Sequence, residues 1–197
     1  EIEKILAGRG LHYLKSDDAP LKAARLLSED KIVGWFQGRM ESGPRALGNR
    51  SILMSPKKAE NKDIINARVK FREAFRPFCP SLIDEAKEKY LVKPRSERFM
   101  VTSFDCTKER KAELPAVVHV DGTLRPQTVA KEDNPRYWRL ISEFGKITGT
   151  PVVLNTSMNI MGEPIACSPR EAIRCFFDSG MDVLVLGDFI LEKSAAL

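Results

Sequence analysis

The stretch "PRYWRLISEFGKITGTPVVLN", residues 135–155, decides the fold of this chain. Its apolar side chains recur at helical spacing, at Tyr137, Trp138, Ile141, Phe144 and Ile147. Such a stripe predicts a helix that buries one face in the protein core. Gly149 follows the last of these residues, where a glycine commonly ends a helix. The apolar run after it, "PVVLN", predicts a buried strand.

Helix and strand patterns continue on both sides of this stretch. Helical patterns recur in "APLKAARLLSEDK" (19–31), "KKAENKDIINARVK" (57–70) and "PREAIRCFF" (169–177). Runs typical of strands or extended segments recur in "KIVGWFQG" (31–38), "RPFCPSLI" (76–83), "MDVLVLG" (181–187) and "FILEK" (189–193). Ser168 and Glu171 form a capping-box pattern, which predicts that the last helix begins there.

The order of these elements indicates the fold class. The dipeptide Asp121-Gly122 within "PAVVHVDGTLRPQTV" (115–129) predicts a hairpin turn between two extended runs. Residues 84–113 are charged and irregular and predict no regular element. Because helices and strands intermix without strict alternation, we expect an α+β fold with a twisted mixed sheet flanked by helices.

Composition limits the class of protein. The chain has 197 residues, 43% of them hydrophobic and 30% charged, which predicts one soluble globular domain over residues 1–197. The longest apolar runs fall short of the ~20 residues of a membrane span, so no membrane partner is expected. Four scattered cysteines without a CxxC motif fit a reducing cytoplasm and predict no structural metal site. Because the chain starts at Glu1, without a methionine or signal peptide, we expect a fragment of a longer protein.

The charge distribution points to an anionic ligand. The net charge is +5, and residues 39–76 hold ten basic residues against four acidic ones. Within that window, "GRMESGPRALGNRS" (38–51) combines arginines, which suit carboxylate or phosphate, with glycines that let a ligand approach the backbone. The structural alternative is a solvated basic loop.

Two further polar segments suggest binding side chains. In "KFR", an extended backbone would place Lys70 and Arg72 on one face, where both could meet one phosphate. In "TSMN", Ser157 and Asn159 would likewise share a face and bind phosphate or sugar oxygens. The alternatives are a basic helix end for the first segment and ordinary turn chemistry for the second.

Together these motifs resemble a known family. "KFR" and "TSMNIMGEP" are similar to the K-x-R and T-S-x-N-x-x-G-x-P signatures of YrdC-like domains, which bind ATP. "GRMESGPRALGNRSIL", "KFREAFRPFCPSL", "HVDGTLRPQTV" and "VVLNTSMNIMGEPIACSP" resemble the C-terminal domain of O-carbamoyltransferases of the NodU nodulation and antibiotic-tailoring type. The resemblance extends from about residue 31 to 188.

The resemblance implies a three-layer YrdC-like fold and an adenylation reaction. A carbamoyl oxygen derived from carbamoyl phosphate would attack the α-phosphorus of ATP, with Mg²⁺ held mainly by substrate oxygens and not by a protein metal site. The catalytic residues would be Lys70, Arg72, Ser157 and Asn159. Substrate and nucleotide would be bound by Arg39, Arg45, Arg50, Arg76, His119, Arg125, Asn155 and Thr156.

The resemblance also implies a division of labour. An N-terminal ASKHA-type domain, which this chain lacks, would bind a metal and transfer the carbamoyl group to a hydroxyl acceptor. A different class of function uses the same basic window: a YrdC-like module that binds double-stranded RNA or nucleotides without carbamoyl transfer. Because the sequence has no RRM or KH signature, nucleic acid is the less favoured partner.

Overall fold

A mixed eight-stranded sheet forms the centre of the computed structural model, which describes residues 1–193. The order of its strands is β1-β10-β9-β2-β3-β8-β4-β7. They are β1 (Leu14–Lys15), β2 (Val33–Phe36), β3 (Arg50–Met54), β4 (Cys79–Ile83), β7 (Gln127–Val129), β8 (Val152–Ser157), β9 (Val183–Leu186) and β10 (Phe189–Glu192). The β2/β9 and β4/β7 pairs are parallel and the other neighbours antiparallel. Strands β5 (Phe104–Asp105) and β6 (Thr123–Leu124) form a separate antiparallel pair.

Helices cover both faces of the sheet. They are α1 (Ile2–Ala7), α2 (Ala19–Ser28), α3 (Glu60–Ile65), α4 (Lys87–Tyr90), α5 (Pro135–Thr148) and α6 (Pro169–Phe177). One apolar core lies between the sheet and helices α2 and α5, and a second lies between the opposite face and helices α1, α3, α4 and α6. This three-layer arrangement confirms the predicted α+β fold. The assignment of residues 1–197 to one domain stays a prediction, and residues 194–197 lie outside the described residues.

Helix α5 begins and ends where the sequence predicts. The side chain of Asn134 accepts a hydrogen bond from the Tyr137 amide at 3.1 Å, and Gly149 ends the helix in a left-handed conformation with φ 77°. Leu140, Ile141 and Phe144 are fully buried with Tyr137.

The predicted apolar face of α5 is too wide. Trp138 and Ile147 fall at its two edges when the residues are placed at the helical period. Trp138 is accordingly only partly buried, and Ile147 is 46% exposed. The prediction that Ile147 belongs to the core is therefore wrong.

The hairpin prediction at Asp121-Gly122 is correct only for the turn. Gly122 has φ 83°, and the His119 amide donates to the Thr123 carbonyl at 2.9 Å. The residues before the turn form no strand, because Val117 and Val118 both donate to the Leu114 carbonyl in a tight helical turn. Strand β6 after the turn pairs instead with β5, in a region predicted to be irregular.

The loop from Gly38 to Asn49 is fixed by one carboxylate. Glu41 Oε1 accepts hydrogen bonds from the amides of Leu47, Asn49 and Arg50 at 2.6, 2.8 and 3.3 Å. The Trp35 indole donates to the Gly48 carbonyl at 3.0 Å. The loop therefore lies against the sheet as an ordered cover and is not a freely solvated basic segment.

Gly48 lies directly against the Tyr137 ring of helix α5. Its φ is 106°, and a Cβ built there would lie 2.1 Å from the ring of Tyr137, whereas Gly43 has φ 111° with no atom within 4 Å of such a Cβ. Both Gly→Ala substitutions incur backbone strain, but only Gly48→Ala also overpacks the core. We expect Gly48→Ala to lower the free energy of unfolding by ~1–3 kcal/mol more than Gly43→Ala. Urea denaturation of the two variants measures the difference, and equal losses would contradict the packing argument.

Candidate functional site

Two adjoining cavities lie where β8 ends and β4 begins. The larger has a volume of about 700 Å³ and is lined by residues from 66–76 and from 156–162. The smaller has a volume of about 130 Å³ and lies under Pro44, Arg45 and Ala46 of the loop. Arg72, Thr156 and Ser157 line both. A ligand in one cavity would therefore adjoin a ligand in the other.

Lys70 reaches the site from a single π-helical turn. That turn, Asn66–Lys70, follows α3 and ends at Phe71, a non-glycine residue with φ 47°. π-Helical turns and left-handed non-glycine residues are both uncommon and recur at functional sites. The prediction of an extended "KFR" segment is wrong, since Lys70 closes a helical turn and Arg72 follows a reversal of the backbone.

The Lys70 ammonium holds the predicted Ser-x-Asn segment in place. Its Nζ donates to the carbonyl oxygens of Ser157 and Asn159 at 2.5 and 2.9 Å and to Asn159 Oδ1 at 2.8 Å. The Ser157 hydroxyl donates to the same Oδ1 at 2.7 Å, and Asn159 Nδ2 donates to the Glu163 carbonyl at 2.7 Å. Three of the four predicted catalytic residues are thus in direct contact.

Burial makes Lys70 sensitive to pH. Its side chain is 6% exposed, and desolvation lowers the pKa of the ammonium to about 7. The neighbouring Cys175 opposes this shift, while the charge of Arg72 adds to it. Burial therefore disfavours the ammonium form, while the oxygens of Ser157 and Asn159 stabilise it.

Arg72 lies between the two cavities, held by groups that leave part of its guanidinium free. Its Nε donates to Asn66 Oδ1 at 2.8 Å, and the guanidinium carbon lies 4.7 Å from the centre of the Phe78 ring. Desolvation lowers its pKa, and the charge of Arg76 acts in the same direction. An arginine destabilised in this way gains most from an anion beside it.

The smaller cavity holds two more predicted arginines. Arg45 lies exposed at its rim. Arg125 lines it and donates from Nε and Nη2 to Cys79 Sγ, both at 3.3 Å. Because sulfur is a weak acceptor, these bonds leave Arg125 available for a stronger oxygen acceptor. Arg45, Arg72 and Arg125 together make the smaller cavity strongly basic.

The other predicted residues have different surroundings. Thr156 lines both cavities, and Asn155 lines the smaller one. Arg76 lines the larger cavity and forms an ion pair with Glu73 at 3.3 Å. Arg39 is exposed and lines neither. His119 also lines neither: its Nδ1 is 3.1 Å from Thr123 Oγ1, and burial lowers its pKa.

Arg50 requires a correction. Its guanidinium lies 3.6 Å from the centre of the Phe36 ring and is buried. Every N–H of the group is directed at a main-chain carbonyl, those of Gln37, Gly38, Asn49 and Cys167. No donor remains for a phosphate, so Arg50 ties the loop to the start of α6 and does not bind a ligand in this arrangement.

Sequence reasoning missed the residues that support the site. Asn66 is 1% exposed and orients Arg72, and Ser81 and Gln127 are buried polar residues behind Asn155. Each lies within a segment that looks like ordinary helix or strand in the sequence. The signal that could have indicated them is a polar residue at a position where the period places the core.

The described residues offer no metal cage. Among residues 1–193, no group of three or more His, Cys, Asp or Glu side chains is arranged to hold a metal ion. In the same range, no helix has the length and apolar character required to cross a membrane.

Comparison with known proteins establishes the family. The family model described as "Carbamoyltransferase C-terminus" matches residues 24–193. The chain belongs to the carbamoyltransferase family. It is 45% identical to nodulation protein NolO of Bradyrhizobium diazoefficiens, covering 94% of this chain and 34% of that protein. It is 43% identical to nodulation protein NolNO of Sinorhizobium fredii, covering 100% of this chain and 29% of that protein. The chain thus spans about a third of the length of these two relatives.

A solved structure supports the fold of this carbamoyltransferase domain. Full-length HypF in its phosphate- and nucleotide-bound form aligns with a TM-score of 0.56 at 18% identity, over 91% of this chain and 22% of that one. At this identity the likeness concerns the fold alone.

The buried ammonium of Lys70 predicts a pH-dependent stability. Since its folded pKa of about 7 is below the unfolded value of 10.5, the folded chain binds fewer protons than the unfolded chain above pH 7. The Lys70 contribution to the free energy of unfolding should therefore rise from pH 7 to 9, by up to ~1.4 kcal/mol per pH unit. Urea denaturation of the wild type and Lys70→Met over this range isolates the contribution. Parallel pH profiles would show that Lys70 stays charged.

Proposed function

We propose that this chain binds ATP and forms a carbamoyl adenylate for an O-carbamoyltransferase. The observation that carries the proposal is the pair of cavities that share Arg72, Thr156 and Ser157. The larger, at about 700 Å³, has the size of a typical small-molecule site. The smaller, at about 130 Å³, has room for about four water-sized groups. Two reactants of these sizes would meet beside Arg72.

The chemistry of the lining suits phosphate. Lys70, Arg72 and Arg76 line the larger cavity, with Glu73 at its rim as the one acidic lining residue. Hydrogen bonds from charged donors to phosphate are about twice as strong as neutral ones. The N–H groups of Lys70 are taken by oxygens of Ser157 and Asn159. The triphosphate would therefore lie along Arg72 and Arg76, with its α-phosphorus toward Ser157 and the shared wall.

The proposed reaction is an in-line substitution at phosphorus. Water first cleaves carbamoyl phosphate to carbamate and inorganic phosphate. A carbamate oxygen then forms a bond to the α-phosphorus of ATP, the bond between that phosphorus and the α,β-bridging oxygen breaks, and pyrophosphate leaves. Phosphoryl-transfer chemistry of this type depends mainly on positioning and charge stabilisation. Arg72 would stabilise the charge on the α-phosphate, and the Lys70 contacts would keep Ser157 and Asn159 in register with it.

Magnesium and the transfer step involve groups outside this chain's own site. Because residues 1–193 hold no carboxylate cage, Mg²⁺ would arrive on the triphosphate oxygens and neutralise charge on the departing pyrophosphate. Transfer to a hydroxyl acceptor would belong to an ASKHA-type domain within the remaining two thirds of the full-length relatives. The HypF structure, described as phosphate- and nucleotide-bound, is consistent with nucleotide binding by this fold.

Double-stranded RNA binding is the alternative. It would use basic side chains spread over an open surface, and its affinity would fall steeply with salt concentration. In this chain Arg50 and Lys70 are buried, and Arg72 and Arg125 line concave walls. These placements favour a small anionic ligand.

The decisive variant is Arg72→Gln, which keeps a hydrogen-bonding side chain but removes the charge at the shared wall. We expect it to weaken MgATP binding by ~1.5–3 kcal/mol, the range for hydrogen bonds to charged groups. Calorimetric titration of the chain with MgATP measures the loss.

The matched control is Arg39→Gln, at an exposed arginine that lines neither cavity. Its MgATP affinity should equal that of the wild type. Unchanged affinity in Arg72→Gln, or equal losses in both variants, would reject the proposed site. Tight duplex RNA binding at physiological salt without MgATP binding would favour the alternative.

A further inference from the structure

Asn155 leaves one buried acceptor without a donor. The residue is 2% exposed and lines the smaller cavity. No donor among residues 1–193 reaches its Oδ1, which is itself buried. Buried amide oxygens are normally hydrogen-bonded, and an unpaired one costs ~1–3 kcal/mol. Because Asn155 lines a cavity, an unpaired acceptor on its buried side chain points to a donor on a ligand.

The orientation of the Asn155 amide is fixed by its neighbours. Its Nδ2 donates to the Ala46 carbonyl at 3.1 Å and to Ser81 Oγ at 3.0 Å. Ser81 Oγ donates in turn to Gln127 Oε1 at 2.8 Å, and Gln127 Nε2 donates to the Leu47 carbonyl at 2.8 Å. A rotated Asn155 amide would direct its oxygen at the Ala46 carbonyl, which cannot donate. The unpaired atom is thus the oxygen.

The surrounding side chains define what else the ligand carries. Cys79 is the cross-strand partner of Asn155 and holds Arg125 beside the same cavity, and Arg72 and Arg45 complete the basic wall. These arginines suit carbonyl and phosphate oxygens. A ligand that matches the whole cavity is small, has oxygen acceptors, and presents one hydrogen-bond donor.

We propose that Asn155 Oδ1 accepts a hydrogen bond from the amino group of the carbamoyl substrate and so selects carbamoyl over acetyl compounds. This inference rests on the proposed function. The carbamoyl NH₂ and the acetyl CH₃ are nearly the same size, but only NH₂ donates a hydrogen bond. A site with a buried acceptor rejects the analogue that lacks the donor, because the acceptor then stays unpaired.

The test uses two stable phosphonates that differ only in this group, carbamoylphosphonate and acetylphosphonate. Calorimetric titration of the wild-type chain should show at least about tenfold tighter binding of carbamoylphosphonate, the factor expected for one buried hydrogen bond. In Asn155→Leu the preference should fall to about one, through weaker carbamoylphosphonate binding. The ratio of two affinities on one preparation does not depend on the fraction that is folded.

Arg39→Gln is the control. It changes an exposed residue that lines neither cavity, so the tenfold preference should persist. Equal binding of both phosphonates to the wild type, or a preference that survives in Asn155→Leu, would overturn the Asn155 assignment while leaving the proposed function intact. If neither phosphonate binds the wild type, both the assignment and the carbamoyl site fail. Should Asn155→Leu not fold, the wild-type pair of affinities decides alone.

Discussion

The contact between the Lys70 ammonium and the Ser157–Asn159 segment is the interaction on which the site depends. It joins the end of the π-helical turn to the end of β8, two segments separated by more than eighty residues of sequence. The ammonium is surrounded by oxygens of one loop, so the loop is held at several atoms by a single side chain. Without it, the wall shared by the two cavities would lose its fixed position.

Burying this charge has a cost that the surrounding structure offsets. Desolvation destabilises the ammonium, and only its acceptor oxygens and the packing around the π-helical turn keep it there. The left-handed Phe71 that follows adds backbone strain. Strain and buried charge at one point of an otherwise regular three-layer fold are the usual marks of a functional site. In this chain the strained Phe71 and the buried Lys70 ammonium both line the larger cavity.

Local sequence patterns were sufficient to predict most of the fold. Helix α5, with its asparagine cap and terminal Gly149, and the capping box of α6 involve residues close in sequence, so they can be predicted from it. The pairing of β6 with β5 could not, because it depends on which distant segment reaches that edge. The backbone at Lys70 was mispredicted for a related reason: a π-helical turn has no composition signal, and tertiary contacts select it.

The site was predictable in its residue types and less so in their roles. Lys70, Arg72, Ser157 and Asn159 do line one cavity. What the sequence cannot supply is the partner of each donor, and the arginines show why this matters. All the N–H groups of Arg50 meet carbonyl oxygens, whereas Arg125 meets only a sulfur. The same side chain is structural in the first case and available in the second.

Whether an arginine can bind a ligand therefore depends on the acceptors that surround its guanidinium, and not on its charge alone. A carbonyl oxygen competes well with a phosphate oxygen for an arginine N–H, and a thiol sulfur competes poorly. The same reasoning applies to acceptors: Gln127 Oε1 already receives a hydrogen bond, and Asn155 Oδ1 does not. Asn155, whose Oδ1 has no donor, and Arg125, whose N–H groups are bonded to sulfur, both line the smaller cavity. A ligand with both an N–H group and anionic oxygens would satisfy the two at once.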